Sequence, residues 1–517
     1  MEPTREKGEV LHGGAEELPV VLKDGMRLQP QPTSDPLDPL NWTSWRKNSI
    51  LAIVMSLYFM FTYVTTTTVA SFPDIQEVYN ASVDQANWTI ALPALGLAVG
   101  PLIWSSLADI YGRRLVFIVG TLIAFAATIG AAEAREYSGY MAARFFQGFG
   151  VSPASTVGLA IINDIFFEYQ RGLKVGLWVL AIDMGLLVGP LIGGFIYLVD
   201  MYWIQWLTAI IFAVILIAEI AFLPETLYPR NQMLQRMPYT DGAGSADVEK
   251  VTRRASVATD VDLPRTKKLP FVTYKPVPGM QHPKPWDSLV RFLLTFKFVA
   301  PFAAIFIYCF GWYWWVLTII TVMPVAYEQY SPQIQGLLFL GLILGTLFSE
   351  LFFSGRLSDF IILRLAKKNN GVRLAEMRLW LAYPAILLTS IGLIVWGISV
   401  EKGYHWIVGQ IAFFLFAAGI QMGNTVTASY VVDCYPLQSM SMITFYAVFL
   451  NMSAFISPFF IAPWVDPVGF TWTFAAQGII VFFFCVPAFA LLQMFGGKLR
   501  AMSGEPAWVN PEYDTII

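Results

Sequence analysis

Long apolar runs recur along this chain from end to end, and they limit its fold more than any other feature. A hydrocarbon core about 30 Å thick takes about 20 helical residues to cross at 1.5 Å rise each. Runs of that length are found near 48–71, 86–107, 115–133, 138–162, 173–198, 203–223, 298–324, 334–354, 377–399, 404–431, 439–463 and 468–495. Only 13% of the 517 residues are charged and 56% are hydrophobic, about half the charged share of a soluble domain. The expectation is an all-α membrane protein with twelve transmembrane helices.

A polar segment rich in proline, glycine, serine and charge separates spans 6 and 7. The predicted organisation is therefore a tail over 1–47, a six-helix bundle over 48–223, a linker over 224–297, a second six-helix bundle over 298–495 and a tail over 496–517. The first 45 residues hold no apolar run, so the first span itself is expected to direct insertion. Of the 33 Lys and Arg residues, only Arg135 and Lys402 fall in loops on one side, and Arg144 lies inside span 4. The rest crowd the other side with both tails and the linker, which makes that side cytosolic. The halves also echo each other. Ser105-Ser106-Leu107-Ala108-Asp109-Ile110-Tyr111-Gly112-Arg113-Arg114 joins spans 2 and 3; Ser354-Gly355-Arg356-Leu357-Ser358-Asp359-Phe360 follows span 8. A Leu-x-Asp step before basic residues, at the corresponding loop of each half, points to two pseudo-symmetric bundles made by duplication with a cavity between them.

Three stretches carry a resemblance. Leu107-Ala108-Asp109-x-x-Gly112-Arg113-Arg114 resembles the signature loop of the major facilitator superfamily, with Ser105 in place of the usual glycine and Ile110 in place of the usual arginine. Arg144-x-x-Gln147-Gly148 is similar to its intramembrane Arg-x-x-Gln-Gly motif. Gly185-x-x-x-Gly189-Pro190-x-x-Gly193-Gly194 matches the pattern of its antiporter branches. The resemblance implies the two-bundle fold of that superfamily. It also implies that the glycine motif lies where the halves meet, and that Asp109 meets the N-terminus of span 11 near Ser439 to Met442. With Arg113 or Arg114 reaching Asp164, and Arg356 and Asp359 in the second half, that cluster is expected to form a cytosolic gate.

The residues support these readings by their chemistry. A buried arginine in a membrane helix is costly and faces a wet cavity or a polar partner, so Arg144 is a candidate for proton coupling and, with Gln147 one turn on, for the substrate cavity; bonding to a neighbouring helix's carbonyls is the structural alternative. Glycines every four residues let helices approach closely, and Pro190 loosens the helix there. Asp183 is the one acid near the middle of a first-half span and is the candidate proton carrier. Depth along the helices separates it from Arg144 by roughly two turns. Glu219 and Glu350 lie nearer the cytosolic ends and are weaker candidates. Gln421, Asn424 and Asn451 are candidate substrate contacts or helix-bridging groups. Trp312 and Tyr313 stand in an aromatic stretch of span 7 that suits a flat, apolar or cationic compound, or simply packs the bundle.

Other functions find little support. Cys309, Cys434 and Cys485 are scattered and imply no disulfide framework. His12, His282 and His405 lie far apart, and no phosphate-binding Gly-Lys-Ser/Thr loop is present. No metal, cofactor, nucleic-acid partner or enzymatic site is therefore expected. Asn80-Ala81-Ser82 is a glycosylation sequon in an outer loop, and Ser256 follows Arg253 and Arg254 in a kinase-type pattern. Asp38-Pro39-Leu40-Asn41-Trp42, Leu223-Pro224-Glu225-Thr226 and the Arg356–Arg378 loop are similar to fungal members of the drug:proton antiporter branch. That implies a monomeric transporter in a lipid bilayer, exporting a small molecule such as a drug, toxin or secondary metabolite against protons. The plasma membrane is the implied location, with a vacuolar or vesicle membrane as the alternative. Proton-coupled uptake of a polyamine or organic acid is the alternative function. A nutrient sensor would be expected to carry a longer tail than 496–517.

Overall fold

The computed structural model describes residues 22–23, 26–27, 30, 32–33, 35–228, 230, 284–354, 356–369, 374–435 and 438–504. Among them are twelve helices long and apolar enough to cross a membrane. They are Ser44–Val78, Val83–Tyr111, Arg113–Glu133, Tyr137–Ile165, Lys174–Ile196, Met201–Phe222, Val299–Ala326, Pro332–Phe353, Ala375–Glu401, Trp406–Cys434, Ser439–Val468 and Phe470–Ser503, here spans 1 to 12. Several run past the apolar cores read from sequence because polar residues extend the helices: span 2 starts at a capping box in which Ser82 and Gln85 bond each other's backbone N–H. The one pair of strands described, Leu22–Lys23 with Met26–Arg27, lies in the N-terminal segment.

Spans 1 to 6 pack as one bundle and spans 7 to 12 as another. Lipid-facing positions such as Ile217, Leu351 and Phe483 stay exposed, while polar side chains including Arg113, Arg144 and Gln147 are buried within the bundles. Alternating spans leave two faces. The linker face carries the end of span 6 and the start of span 7, and also Arg113, Arg114, Arg171, Lys174, Arg230, Lys284, Arg291, Arg378, Lys498 and Arg500. The distal face carries Arg135 and Lys402.

The linker face of the first bundle is held by segments that the sequence assigned to the tail and the linker. Glu225, just past span 6, accepts from the N–H groups of Arg113 and Arg114 at 3.1 and 3.2 Å and of Thr226 and Leu227 at 2.8 Å each. It thereby caps the N-terminus of span 3, where helical N–H groups have no partner of their own and a partial positive charge collects. Burial pushes the Glu225 carboxyl up, and the four N–H donors offset part of that rise. Gly112 makes the approach possible: its φ is +101°, and a Cβ there would lie 2.4 Å from Glu225 Oε2. Arg113 pairs with Asp164 at the end of span 4. Arg230 donates to Asp38 Oδ1 at 3.1 Å and to the Asp164 carbonyl at 3.2 Å. Asp38 also accepts from the Thr33 N–H, and Lys47 Nζ donates to the Leu40 carbonyl at 2.8 Å.

The second bundle repeats the arrangement with different residues. Arg378 at the start of span 9 pairs with Asp433 at the end of span 10, as Arg113 does with Asp164 between spans 3 and 4. Glu376 accepts both bonds from Arg500 Nη2, at 2.6 and 2.8 Å, and so ties span 9 to span 12. The helix Arg356–Lys368 follows span 8; the side chains of Arg356 and Asp359 lie outside the described residues.

Gly112→Ala places a β-carbon against Glu225 and forces an L residue into a backbone region that is essentially glycine's, a strain of about 1–3 kcal/mol before the clash is counted. The detergent-solubilised variant is expected to melt at lower temperature than the parent by fluorescence-detected thermal unfolding. An unchanged midpoint would show that the cap on span 3 contributes nothing.

Candidate functional site

Asp183, buried in span 5, faces the other bundle. Its Oδ2 accepts from Asn424 Nδ2 of span 10 at 2.9 Å, while Asn424 Oδ1 accepts from Tyr446 OH of span 11 at 2.6 Å. The bonds run in one sense, from Tyr446 through the amide to the carboxyl, and the last of them, Asn424 to Asp183, crosses the seam between the halves. A second acid lies toward the linker face. Glu350 Oε2 accepts from Gln421 Nε2 at 2.8 Å, and a Cβ on Gly176 would fall 2.8 Å from Glu350 Oε1. Gly176 is two turns before Asp183 on one face of the same helix, and Gln421 one turn before Asn424. The Asp183–Asn424 pair thus crosses the seam, and the Glu350–Gln421 pair, within the second bundle, borders it at Gly176. Glu350 begins a π-helical turn, Glu350–Ser354, of the sort often found at functional positions.

Beside the Asp183–Asn424 pair is a cavity of about 20 Å³ walled by Tyr58, Phe61, Trp178, Asn424, Tyr446 and Asn451 among others. That is room for about one water. The walls touch above and below it. On the distal face Asn87 Nδ2 donates to the Pro458 carbonyl at 3.2 Å, and Trp88 packs on Phe459 with ring centres 4.8 Å apart. On the linker face Ser106 Oγ lies 2.6 Å from Ser288 Oγ.

Asn424 and Asn451 line this cavity, although Asn451 Nδ2 is engaged by the Ala447 carbonyl at 2.7 Å. Gln421 sits one turn from Asn424 toward the distal face, with its amide on Glu350. Arg144, Gln147, Trp312 and Tyr313, expected in the substrate cavity, are not among its lining residues. Arg144 is buried inside the first bundle. Its Nε and Nη2 donate to the Thr89 carbonyl at 3.1 and 2.8 Å, and Nη2 also to the Val64 carbonyl at 2.6 Å. Both acceptors have lost their helical donors, Thr89 because Pro93 has no N–H and Val64 because the first helix of span 1 ends at Thr66. Arg144 Nη1 donates to Gln147 Oε1 at 2.6 Å, and Gln147 Nε2 passes on to Thr128 and Gln205. Trp312 donates to Thr389 Oγ1 at 2.9 Å inside the second bundle, and Tyr313 packs on Tyr308 there.

The glycine motif of span 5 is placed differently from the resemblance. A Cβ on Gly185, Gly189 or Gly193 would meet span 1 within the same bundle, at 2.0 Å from the Phe59 carbonyl, 2.5 Å from Thr66 Oγ1 and 2.1 Å from the Thr67 carbonyl. Gly194 alone of the four faces the other half, 2.5 Å from the Pro332 carbonyl by the same measure. Pro190 frees the Leu186 carbonyl, and Thr66 Oγ1 donates to it at 2.9 Å. The expected gate is likewise divided. Arg113–Asp164 and the bond from Arg114 to the Ile220 carbonyl both lie within the first bundle. Asp109 is half-buried on the last turn of span 2, and span 11 begins at Ser439 as anticipated. The partners of Asp183, Glu225 and Arg230 were missed by sequence reasoning. The Pro93 and Pro190 positions, each four residues after a carbonyl that needs a donor, were the available signal for Arg144 and Thr66.

The profile of the Major Facilitator Superfamily matches residues 54–436. The chain belongs to that family. It is a membrane transporter of small molecules and not an enzyme. It is 26% identical to "Protein HOL1" of Saccharomyces cerevisiae, over 92% of this chain and 90% of the relative. Efflux pump FUB11 of Gibberella moniliformis is 26% identical over 88% of this chain and 74% of its own length. Among solved structures, the xylose transporter XylE from E. coli, in a partially occluded inward-open conformation, superposes with a TM-score of 0.58 at 15% identity, covering 88% of this chain and 98% of that one.

Arg144→Met leaves the Thr89 and Val64 carbonyls buried without donors, at about 1–3 kcal/mol each. Folded yield by fluorescence size-exclusion is expected to fall sharply, with Arg144→Lys intermediate because one ammonium cannot fork across both helices. A normal yield with lost transport would instead make Arg144 a proton-coupling group.

Proposed function

We propose that this chain exports small organic compounds, such as a drug, toxin or secondary metabolite, in exchange for protons by alternating access. It acts as a monomer in the plasma membrane with its linker face and both termini in the cytosol. The single observation supporting the reading is the position of Asp183, a buried carboxyl on the seam, held by an amide from the opposite half. Opening either face parts span 5 from span 10 and breaks the Asn424–Asp183 bond. With the distal face open, the Asp183 carboxylate takes up a proton as substrate leaves. With the linker face open, it gives that proton to the cytosol and the next substrate enters. Retention of the Asp183–Asn424 pair only in the closed state couples the proton to the conformational change. The crowding of basic residues on the linker face supports the cytosolic assignment. Asn80, exposed on the distal face, is the proposed glycan acceptor; Ser256, the proposed phosphorylation site, lies outside the described residues.

In yeast stripped of its own major efflux pumps, the inside-to-outside ratio of dyes, polyamines and fungal metabolites is measured with and without a protonophore. The protein is expected to lower the ratio for its substrate class, and the protonophore to restore it. A raised ratio collapsed by the protonophore reassigns the direction to uptake. Asp183→Asn is expected to abolish proton-driven transport at normal membrane levels; intact proton dependence in that variant removes Asp183 from the mechanism.

A further inference from the structure

The helix Asp287–Thr295 precedes span 7 and has its polarity inverted for a surface element in water. Ser288 and Thr295 are buried at 7% and 0% exposure, whereas Leu289, Leu293 and Leu294 are 45%, 59% and 47% exposed. Trp286 and Val290 extend the same outward strip. In water the hydrophobic effect would turn this helix over. A strip of leucines facing outward above a face of small hydroxyls is the arrangement of a helix whose outer surroundings are hydrocarbon.

Its position agrees with that reading. Three residues, Phe296 to Phe298, separate the helix from the start of span 7 at Val299, and three residues reach at most about 11 Å. The helix therefore lies at the membrane boundary, and its apolar strip continues into the exposed Val299 and Phe306 of span 7. Lys284 and Lys297 flank it, both exposed, with Arg291 half-buried between them. Tryptophan and lysine at this depth are typical of the headgroup layer.

The inner face bridges the two halves. The Ser288 N–H donates to Ser106 Oγ of span 2 at 2.9 Å, so a side chain of the first half serves the N-terminal turn of this helix. Four residues on, Phe292 packs on Phe445 of span 11 with ring centres 5.1 Å apart, and Phe296 packs on the same ring at 5.0 Å. Span 2 cannot part from span 11 on the linker face without losing one of these attachments.

From these contacts we infer that Asp287–Thr295 is a lipid-embedded strap across the seam of spans 2 and 11, held at the linker face by anionic phospholipid headgroups on Lys284 and Lys297. Anionic lipid draws the basic flanks to the surface by electrostatic attraction. It thereby keeps the strap seated and sets how readily the linker face opens. The inference concerns the bilayer around the transporter and holds for either direction of transport.

The test uses the full chain carrying Leu293→Cys, a position outside the seam contacts; the native Cys309, Cys434 and Cys485 are all buried. The cysteine is labelled with a nitroxide, and the protein is reconstituted in phosphatidylcholine vesicles with and without phosphatidylserine. The label is expected to be accessible to oxygen and protected from a water-soluble nickel chelate. A second label at Ile103→Cys on span 2 is expected to give a single narrow distance to 293 that broadens without phosphatidylserine. In Lys284→Gln/Lys297→Gln the narrow distance is expected to be lost even with phosphatidylserine. Ready access of the chelate to 293 places the face in water and overturns the strap. A distance distribution indifferent to phosphatidylserine and to the lysine variant overturns its hold by anionic headgroups. Spin coupling between 293 labels of two copies assigns the face to a homodimer instead.

Discussion

Hydrocarbon supplies no hydrogen bonds, and this structure depends on how its helices meet that condition. Every backbone carbonyl in a span needs a donor from the protein, yet the spans are interrupted by proline: Pro93, Pro101, Pro190, Pro324, Pro458, Pro463 and Pro467 stand inside helices. Two of the freed carbonyls are answered from other helices. Arg144 of span 4 serves Thr89, the carbonyl that Pro93 leaves open, and Thr66 of span 1 serves Leu186, the carbonyl that Pro190 leaves open. These bonds join spans 1, 2, 4 and 5 inside the first bundle. The most conspicuous charged residue in the membrane is thereby a fastener between helices.

A rigid bundle is what alternating access requires of each half. The glycines at 185, 189 and 193 bring span 5 against span 1 backbone to backbone, and Glu225, Arg113, Asp164, Arg230 and Asp38 close the linker face of the same bundle. Arg378–Asp433 and Glu376–Arg500 do the corresponding work in the second. The ion pairs Arg113–Asp164, Arg378–Asp433 and Glu376–Arg500 lie within the halves, while the seam is bridged by aromatic packing, amide and hydroxyl contacts and the Asp183–Asn424 bond. Neutral bonds of about 1 kcal/mol each part at less cost than a buried ion pair, in which loss of one partner costs about 3–5 kcal/mol.

The signature loop between spans 2 and 3 shows how densely this economy is written. Ser106 contacts the helix before span 7, Gly112 makes room for Glu225, Arg113 takes Asp164 and Arg114 takes the end of span 6. Ser106 reaches beyond the first bundle, to Ser288. The polar gap in an apolar chain builds the floor of one half and extends the Ser106 hydroxyl to the other.

Twelve spans, two six-helix halves and the face carrying the basic residues were legible in the sequence, and Asp183 stood out there as a candidate. Each follows from properties local to a stretch of chain: apolar length, charge asymmetry between loops, and one acid in an otherwise apolar helix. The partners were not legible. Which carbonyl Arg144 serves, that Asn424 rather than a basic residue meets Asp183, that three of the span 5 glycines face span 1, and that residues 223–228 and 287–295 are structural parts of the bundles all depend on helix rotation and tilt. Those are set by packing among spans between 55 and 241 residues apart in the cases of Arg144 and Asp183, and a period of 3.6 residues fixes which side chains share a face without fixing what that face meets.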